Sequence, residues 1–414
     1  MQTSTRLRQA GLSVLLVAVA IAPRTSALAQ DNDRVAALIE ANSWSMSSSD
    51  GEFSGAGADF LRTAAREAEF VVLGERHGTQ EIPALTSWLL RDLRPAGFDT
   101  YAVEVGPRSA EILRELAMGP DPIQVFDNFI ASSPFTVPFF DAREEAQALV
   151  DAVEAGYAIW GLDQEFIGSG RLHLARLREL APNAEAAALI DSWWEREMRG
   201  LAHFQRTQST EQAIFFTLTG DDVEQLRGAF GNVHEALFVI DELAASAHVY
   251  QLFGAGENYR SNYERIRLMK RHLNEYIQAP GGPDITGGGK VFIKLGAMHG
   301  GRGHSPLHQL DVGNQAYELA AVRGGSSLNI VVAGHHFAPT NGEVRDVTAN
   351  LPALEKVFTA AADSAWSVVD LRALRPLLHT RSGKAGNEEL AETAWAYDVV
   401  VVVNTLHAAS PLGE

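Results

Sequence analysis

Apolar and polar positions fall into blocks along the chain. Largely apolar runs at 70–73, 98–105, 157–162, 291–295, 327–334 and 397–403 read as buried strands. The continuity of the last run predicts a central parallel strand. Between them, apolar residues recur at helical spacing over 58–67, 108–118, 142–155 and 314–320. After His77 they do so through Ile82, Leu85, Trp88, Leu89 and Leu93 on one face. Strand, helix and strand at this spacing predict right-handed crossovers, hence an α/β fold with a mostly parallel sheet flanked by helices.

From 171 to 278 strand signals nearly vanish, and helical patterns occupy 172–180, 184–203, 222–230, 233–252 and 259–276. This predicts a large helical insertion, 171–279, packed over the active edge of the sheet, with Trp193-Trp194 and Phe215-Phe216 in its core. The catalytic α/β domain is then 58–170 together with 280–414. A short helix over 33–42 and a Ser/Gly-rich connector over 43–57 make 30–57 an N-terminal extension and linker. The Pro- and Phe-rich stretch 119–138 reads as a loop roofing a pocket, 280–289 as a linker, and 296–304 as a glycine-rich turn.

Residues 1–29 stand apart. Arg6 and Arg8 precede an apolar run at 11–22, and Ala27-Leu28-Ala29 is a small-x-small cleavage signal. The expectation is a secretory signal cut after Ala29, a periplasmic or secreted location, and no stable membrane insertion afterwards, because no later stretch is long and apolar enough to span. Cleavage removes three arginines and no acids, moving the formal charge from −18 to −21. Such a surface repels nucleic acid and anionic lipid, leaving a small-molecule substrate as the expected partner. Cysteine is absent, which excludes disulfides, thiolate metal sites and a cysteine nucleophile.

The chemistry collects at strand ends, where α/β folds gather ligands. The 70–73 run stops at Gly74 and delivers Glu75, Arg76 and His77; the 291–295 run ends in Gly296-Ala297-Met298-His299, with His304 shortly after. Glu104 interrupts an apolar strand, where a carboxylate is costly unless it is paired, protonated or bound to a cation. Asp163 and Glu165 follow the 157–162 run. Two imidazoles with carboxylates can ligate zinc or manganese and acidify a bound water, or a histidine polarised by a glutamate can itself take a proton from water. Other chemistries lack their motifs. No Gly-x-Ser-x-Gly elbow is present, His234-Glu235 lacks a second histidine, and Gly287-Gly288-Gly289-Lys290 lacks the Ser or Thr and following helix of a phosphate loop.

These residues resemble the superfamily that joins erythromycin-esterase-like hydrolases, ChaN-type haem-binding lipoproteins and Tiki/TraB proteins. The resemblance lies in Leu73-Gly74-Glu75-Arg76-His77-Gly78-Thr79-Gln80-Glu81, Val103-Glu104, Gly161-Leu162-Asp163 and Gly296-Ala297-Met298-His299. Arg265-Ile266-Arg267-Leu268-Met269 and the stretch 397–410 resemble the esterase branch; the close Glu75-Arg76-His77 spacing is nearer to ChaN and Tiki, and Gly296-Ala297-Met298-His299-Gly300-Gly301 is similar to Tiki. The resemblance implies His77 as general base or metal ligand, Glu75 and Glu104 orienting it or the water, His299 as second base or ligand, and Arg265 anchoring substrate or an oxyanion. It implies an exported hydrolase cleaving an ester, lactone or amide, with His77, Glu104 and His299 as the ligand set if a divalent metal is used, and Arg76, Asp163, Glu165 and His304 reaching substrate. The alternatives it carries are a ChaN-like haem carrier and a Tiki-like metallopeptidase.

Overall fold

The computed structural model of the chain describes residues 24–279, 289–361 and 364–413. The apolar run of the expected signal and most of the expected linker lie outside them. A helix, Arg24–Ala41, runs through the expected cleavage point.

Among the described residues ten strands form one sheet: β1 (Ser43–Ser49), β2 (Glu52–Ser54), β3 (Phe70–Glu75), β4 (Phe98–Val103), β5 (Ala158–Gly161), β6 (Lys290–Gly296), β7 (Ser327–Ala338), β8 (Arg345–Asp346), β9 (Trp366–Asp370) and β10 (Val399–His407). Their order is β2-β1-β9-β10-β7-β3-β6-β4-β5, with β8 on β7. The six strands from β10 to β5 run parallel, while β9, β1 and β2 extend the sheet by antiparallel pairs. The expected central parallel strand, β10, therefore has one parallel and one antiparallel neighbour.

The expected helix over 33–42 falls at the end of Arg24–Ala41, whereas the expected connector over 43–57 is a hairpin on the sheet edge instead. Trp44 and Met46 alternate with serines, and Asp50-Gly51 turns the chain with φ of 51° and 75°, the Asp-Gly hairpin turn. Met46 and Phe53 are buried, and Trp44 stacks on Phe60 at 4.4 Å. Within the expected loop 119–138 lies a helix, Pro122–Ser132, because its proline sits in the first turn and Phe126 and Ile130 share a buried face. The expected turn at 296–304 opens with a short helix, Ala297–Gly300, packed so closely that Gly74 and Gly300 meet where a side chain would stand.

After β3 the chain crosses to β4, leaving a slot that β6 later fills, and β7 returns to the other side of β3. Such a switch in strand order opens a crevice at the carboxyl ends of the strands. One face of the sheet carries Val71, Leu73, Tyr101, Val103 and Phe292 against helices that include Glu81–Leu93 and Arg143–Glu154. The other carries Val72, Ala102 and Ile293 against Met269 and Leu273 of the Asn258–Gln278 helix. The expected insertion thus divides. Helices up to Gly254 build a separate core around Leu174, Trp193, Phe215 and Leu243, with Trp194 and Phe216 outside its fully buried set, whereas the Asn258–Gln278 helix belongs to the sheet. Among the described residues no helix is long and apolar enough to cross a membrane.

The last residues act as a strap. Ala409 N–H donates to the Gly78 carbonyl, Gln80 donates to that of Ala408, Ser410 bonds Glu144, and Leu412 N–H reaches the Asp141 carbonyl. This ties the loop after β3 to the start of the Arg143–Glu154 helix.

Candidate active site

Glu75 ends β3, and by alternation with Val71 and Leu73 its side chain enters the first face. Glu104, just past β4, meets Arg265 from the opposite face. His77 stands at the sheet edge between the two acids. Its Nδ1 lies 2.9 Å from Oε1 of Glu75 and its Nε2 3.3 Å from Oε2 of Glu104. Beneath, Lys294 of β6 donates to Glu75 Oε1 at 2.5 Å and to Glu145 Oε1 at 2.7 Å.

Glu104 is the hub. Its Oε2 also accepts the N–H of Gly296. Its Oε1 takes a hydrogen bond from Arg265 Nη2 at 2.9 Å and faces His299 Nε2 at 3.6 Å. Arg265 grips both oxygens of Asp163, Nε to Oδ1 at 2.9 Å and Nη2 to Oδ2 at 2.5 Å. His299 turns its Nδ1 to Asp311 at 2.9 Å, and the other oxygen of Asp311 caps the helix Val312–Val322.

Above the acids opens a cavity of about 640 Å³. His77, Asp163 and Arg265 form its polar floor, and Phe139, Phe166, Val249, Tyr250 and Phe253 are among its apolar walls. Phe139 lies flat on the His77 ring, centroids 3.7 Å apart and planes 12° from parallel, with its own backbone at φ 69°. A phenylalanine held in left-handed backbone stores strain, which clusters at functional sites.

Burial alone would push the His77 imidazolium to a lower pKa, but the hydrogen bonds to Glu104 and Glu75 and their charges outweigh it and raise the ring to about 9. Burial works against the Glu104 anion, yet His77, Arg265 and His299 hold its pKa well below the usual carboxylate range. Glu75 likewise stays low against burial, chiefly through the Lys294 charge. His299 is raised despite burial by its bond to Asp311 and the Glu104 charge. Glu145 goes the other way, pushed by burial to about 7 even with Lys294 beside it.

Glu75, His77, Glu104, Asp163, Arg265 and His299 thus meet, although they come from five separate stretches of chain. Three expected substrate contacts do not join them. Glu165 is fully buried and caps the helix Pro107–Ala117, accepting from Arg108 N, Ser109 N and Ser109 Oγ. Arg76 points over the ring of Phe337 at 4.3 Å. His304 is exposed in a turn bridged to Leu310. The sequence reading missed Lys294, Glu145 and Asp311. Lys294 carries the signal that singled out Glu104, a charge inside an apolar strand, and Asp311 stands at a helix start.

The expected ligand set does not fit a divalent ion. Both oxygens of Glu104 are engaged, a guanidinium sits at the point where a cation would bind, and among the described residues no group of three or more His, Asp or Glu has metal-holding geometry. Haem fits no better at these rings, because each nitrogen of His77 and His299 faces a carboxylate.

No family model matches the chain, and no curated protein sequence does. Solved structures do resemble it in fold. A Bacillus cereus protein aligns over 92% of this chain and 99% of its own at a TM-score of 0.59 and 13% identity. A succinoglycan biosynthesis protein aligns over 91% and 98% at 0.57 and 11%. An erythromycin esterase, EreC, solved as a His-to-Asn variant in its open conformation, aligns over 86% and 95% at 0.54 and 15%. The chain therefore has an erythromycin-esterase-like α/β fold.

Proposed function

We propose that this chain is a hydrolase in which His77 activates water for attack on an ester or lactone, or on an amide, bound in the cavity above it. The reading rests on one observation: an imidazole on the cavity floor, anchored at Nδ1 by Glu75 and facing Glu104 through Nε2. With the Nδ1 proton held by Glu75, Nε2 of the neutral ring takes a proton from water as the water oxygen bonds to the carbonyl carbon. The tetrahedral species then collapses, and the same proton passes to the departing oxygen or nitrogen. Arg265, fixed by Asp163 and Glu104, presents its positive charge at the cavity floor, where an oxyanion develops. The fold likeness to an erythromycin esterase supports this class of reaction. Because His77 is raised to about 9, the reactive base form is the minor one at neutral pH.

Purified chain incubated with p-nitrophenyl butyrate and a panel of lactones tests the reading. Turnover that disappears in His77→Ala is expected; turnover that survives this change overturns it. The same reading includes export directed by residues 1–29, checked by N-terminal sequencing of the protein recovered from the periplasm or medium. Mature protein that retains the first 29 residues would refute export with cleavage.

A further inference from the structure

We propose that Lys294 and Glu145 are positioning residues for His77, acting through Glu75; the proposal rests on the hydrolase reading for its catalytic meaning but not for its geometry. Lys294, Glu145 and Glu75 are respectively 5%, 1% and 4% exposed, below the sheet edge and outside the cavity wall. Leu73, Val103, Phe292 and Ala146 belong to the apolar core of the same face, and the Tyr101 phenol lies close enough to feel all three charges.

Core stability does not explain this choice of residues. A buried ion triad is generally no more stabilising than well-packed apolar side chains of similar volume. What the triad does produce is a fixed orientation at one atom. Glu75 Oε1 receives Lys294 Nζ from beneath and faces His77 Nδ1 above. Glu145 holds the ammonium from its other side at 2.7 Å, so Lys294 cannot swing away from that oxygen.

The consequence is control of the His77 tautomer. A carboxylate buried without a cation tends to take up a proton. Two acids compete for the proton of the neutral ring, Glu75 at Nδ1 (2.9 Å) and Glu104 at Nε2 (3.3 Å); ionised Glu75 is the closer acceptor, holds the proton on Nδ1 and leaves Nε2 as the base. Protonated Glu75 would instead donate to Nδ1, placing the ring proton on Nε2 and removing the base. Lys294 keeps Glu75 in the first state.

The test reads the ring directly. Imidazole nitrogen shifts of 15N-histidine-labelled protein are recorded from about pH 7, where a buried carboxylate without its cation is protonated, to about pH 10, where a histidine raised to about 9 is mainly neutral. Wild type is expected to pass from imidazolium to a neutral ring with its proton on Nδ1 of His77, and Lys294→Met to hold a neutral ring with its proton on Nε2 at the lower pH values. Since Lys294→Met strands two buried acids and is prone to misfold, the double variant Lys294→Met/Glu145→Leu, which removes one charge of each sign, is measured beside it with the same shift expected. With an ester substrate, kcat should fall at least ~100-fold with KM little changed, a split that a purely structural role would not give. An unchanged tautomer in the folded double variant overturns the proposal. A tautomer shift in a chain that hydrolyses nothing upholds the positioning role and refutes the hydrolase reading.

Discussion

His77 Nε2 lies 3.3 Å from Oε2 of Glu104 although β3 and β4 are not neighbours in the sheet. β6 lies between them, and its last residue, Gly296, donates its N–H to that same oxygen. The contact is therefore assembled from three strands, and the middle one contributes backbone alone.

Gly296 is glycine for want of room. A methyl there would stand 2.8 Å from His77 Nε2 and 3.4 Å from Glu104 Oε2. Gly296→Ala is expected to push the ring aside, lowering kcat by roughly 100-fold while the thermal midpoint changes little, because the displaced atom is the end of a side chain that can rotate. Parallel kinetics and calorimetry check this.

The hydrogen bond to Glu104 is the strongest of the influences raising His77 to about 9. Glu104→Gln removes that charge, so the acid limb of the kcat/KM profile is expected to move down from about 9 towards the ordinary histidine value of 6.5. A limb that stays in place would show that another group governs it.

The same shift enters stability. His77 titrates at about 9 in the fold against 6.5 when exposed, so the stability it adds is complete below 6.5 and disappears as pH rises through 9. His299 and His272 are raised as well and act in the same sense. The thermal midpoint should fall across that window, and the fall should shrink in His77→Gln, measured by scanning calorimetry at a series of pH values.

Arg265 neutralises two buried acids at once, Glu104 and Asp163. Arg265→Ala leaves Asp163 without its cation and Glu104 with only His77, His299 and the Gly296 N–H, and is expected to destabilise the chain by about 3–5 kcal/mol, read from urea unfolding. Arg265→Lys keeps the charge but loses the two-pronged grip on Asp163, and should fall between.

Much of this is legible in the sequence because apolar runs ending in glycine mark parallel strands, and residues just past the ends of such strands face a crevice. That reasoning reaches Glu75, His77 and His299, and the cost of a carboxylate in a strand reaches Glu104. It fails where the signal is pairwise. Glu165 comes after a strand as Asp163 does, yet turns to a helix start, because unpaired N–H groups at Arg108 and Ser109 draw it there. The hairpin at Asp50-Gly51 is hidden by its serines, although Trp44 and Met46 alternate as strand residues do. Lys294 escapes notice because lysine so often marks a surface, and only the fold brings Glu75 and Glu145 to it.

The strap of residues 408–413 also bears on how the protein should be handled. It laces the loop bearing the proposed base to the helix that brings Glu145 beneath it, so bulky fusions on that side, or trimming of a few residues, should silence turnover well before the chain loses its cooperative melt.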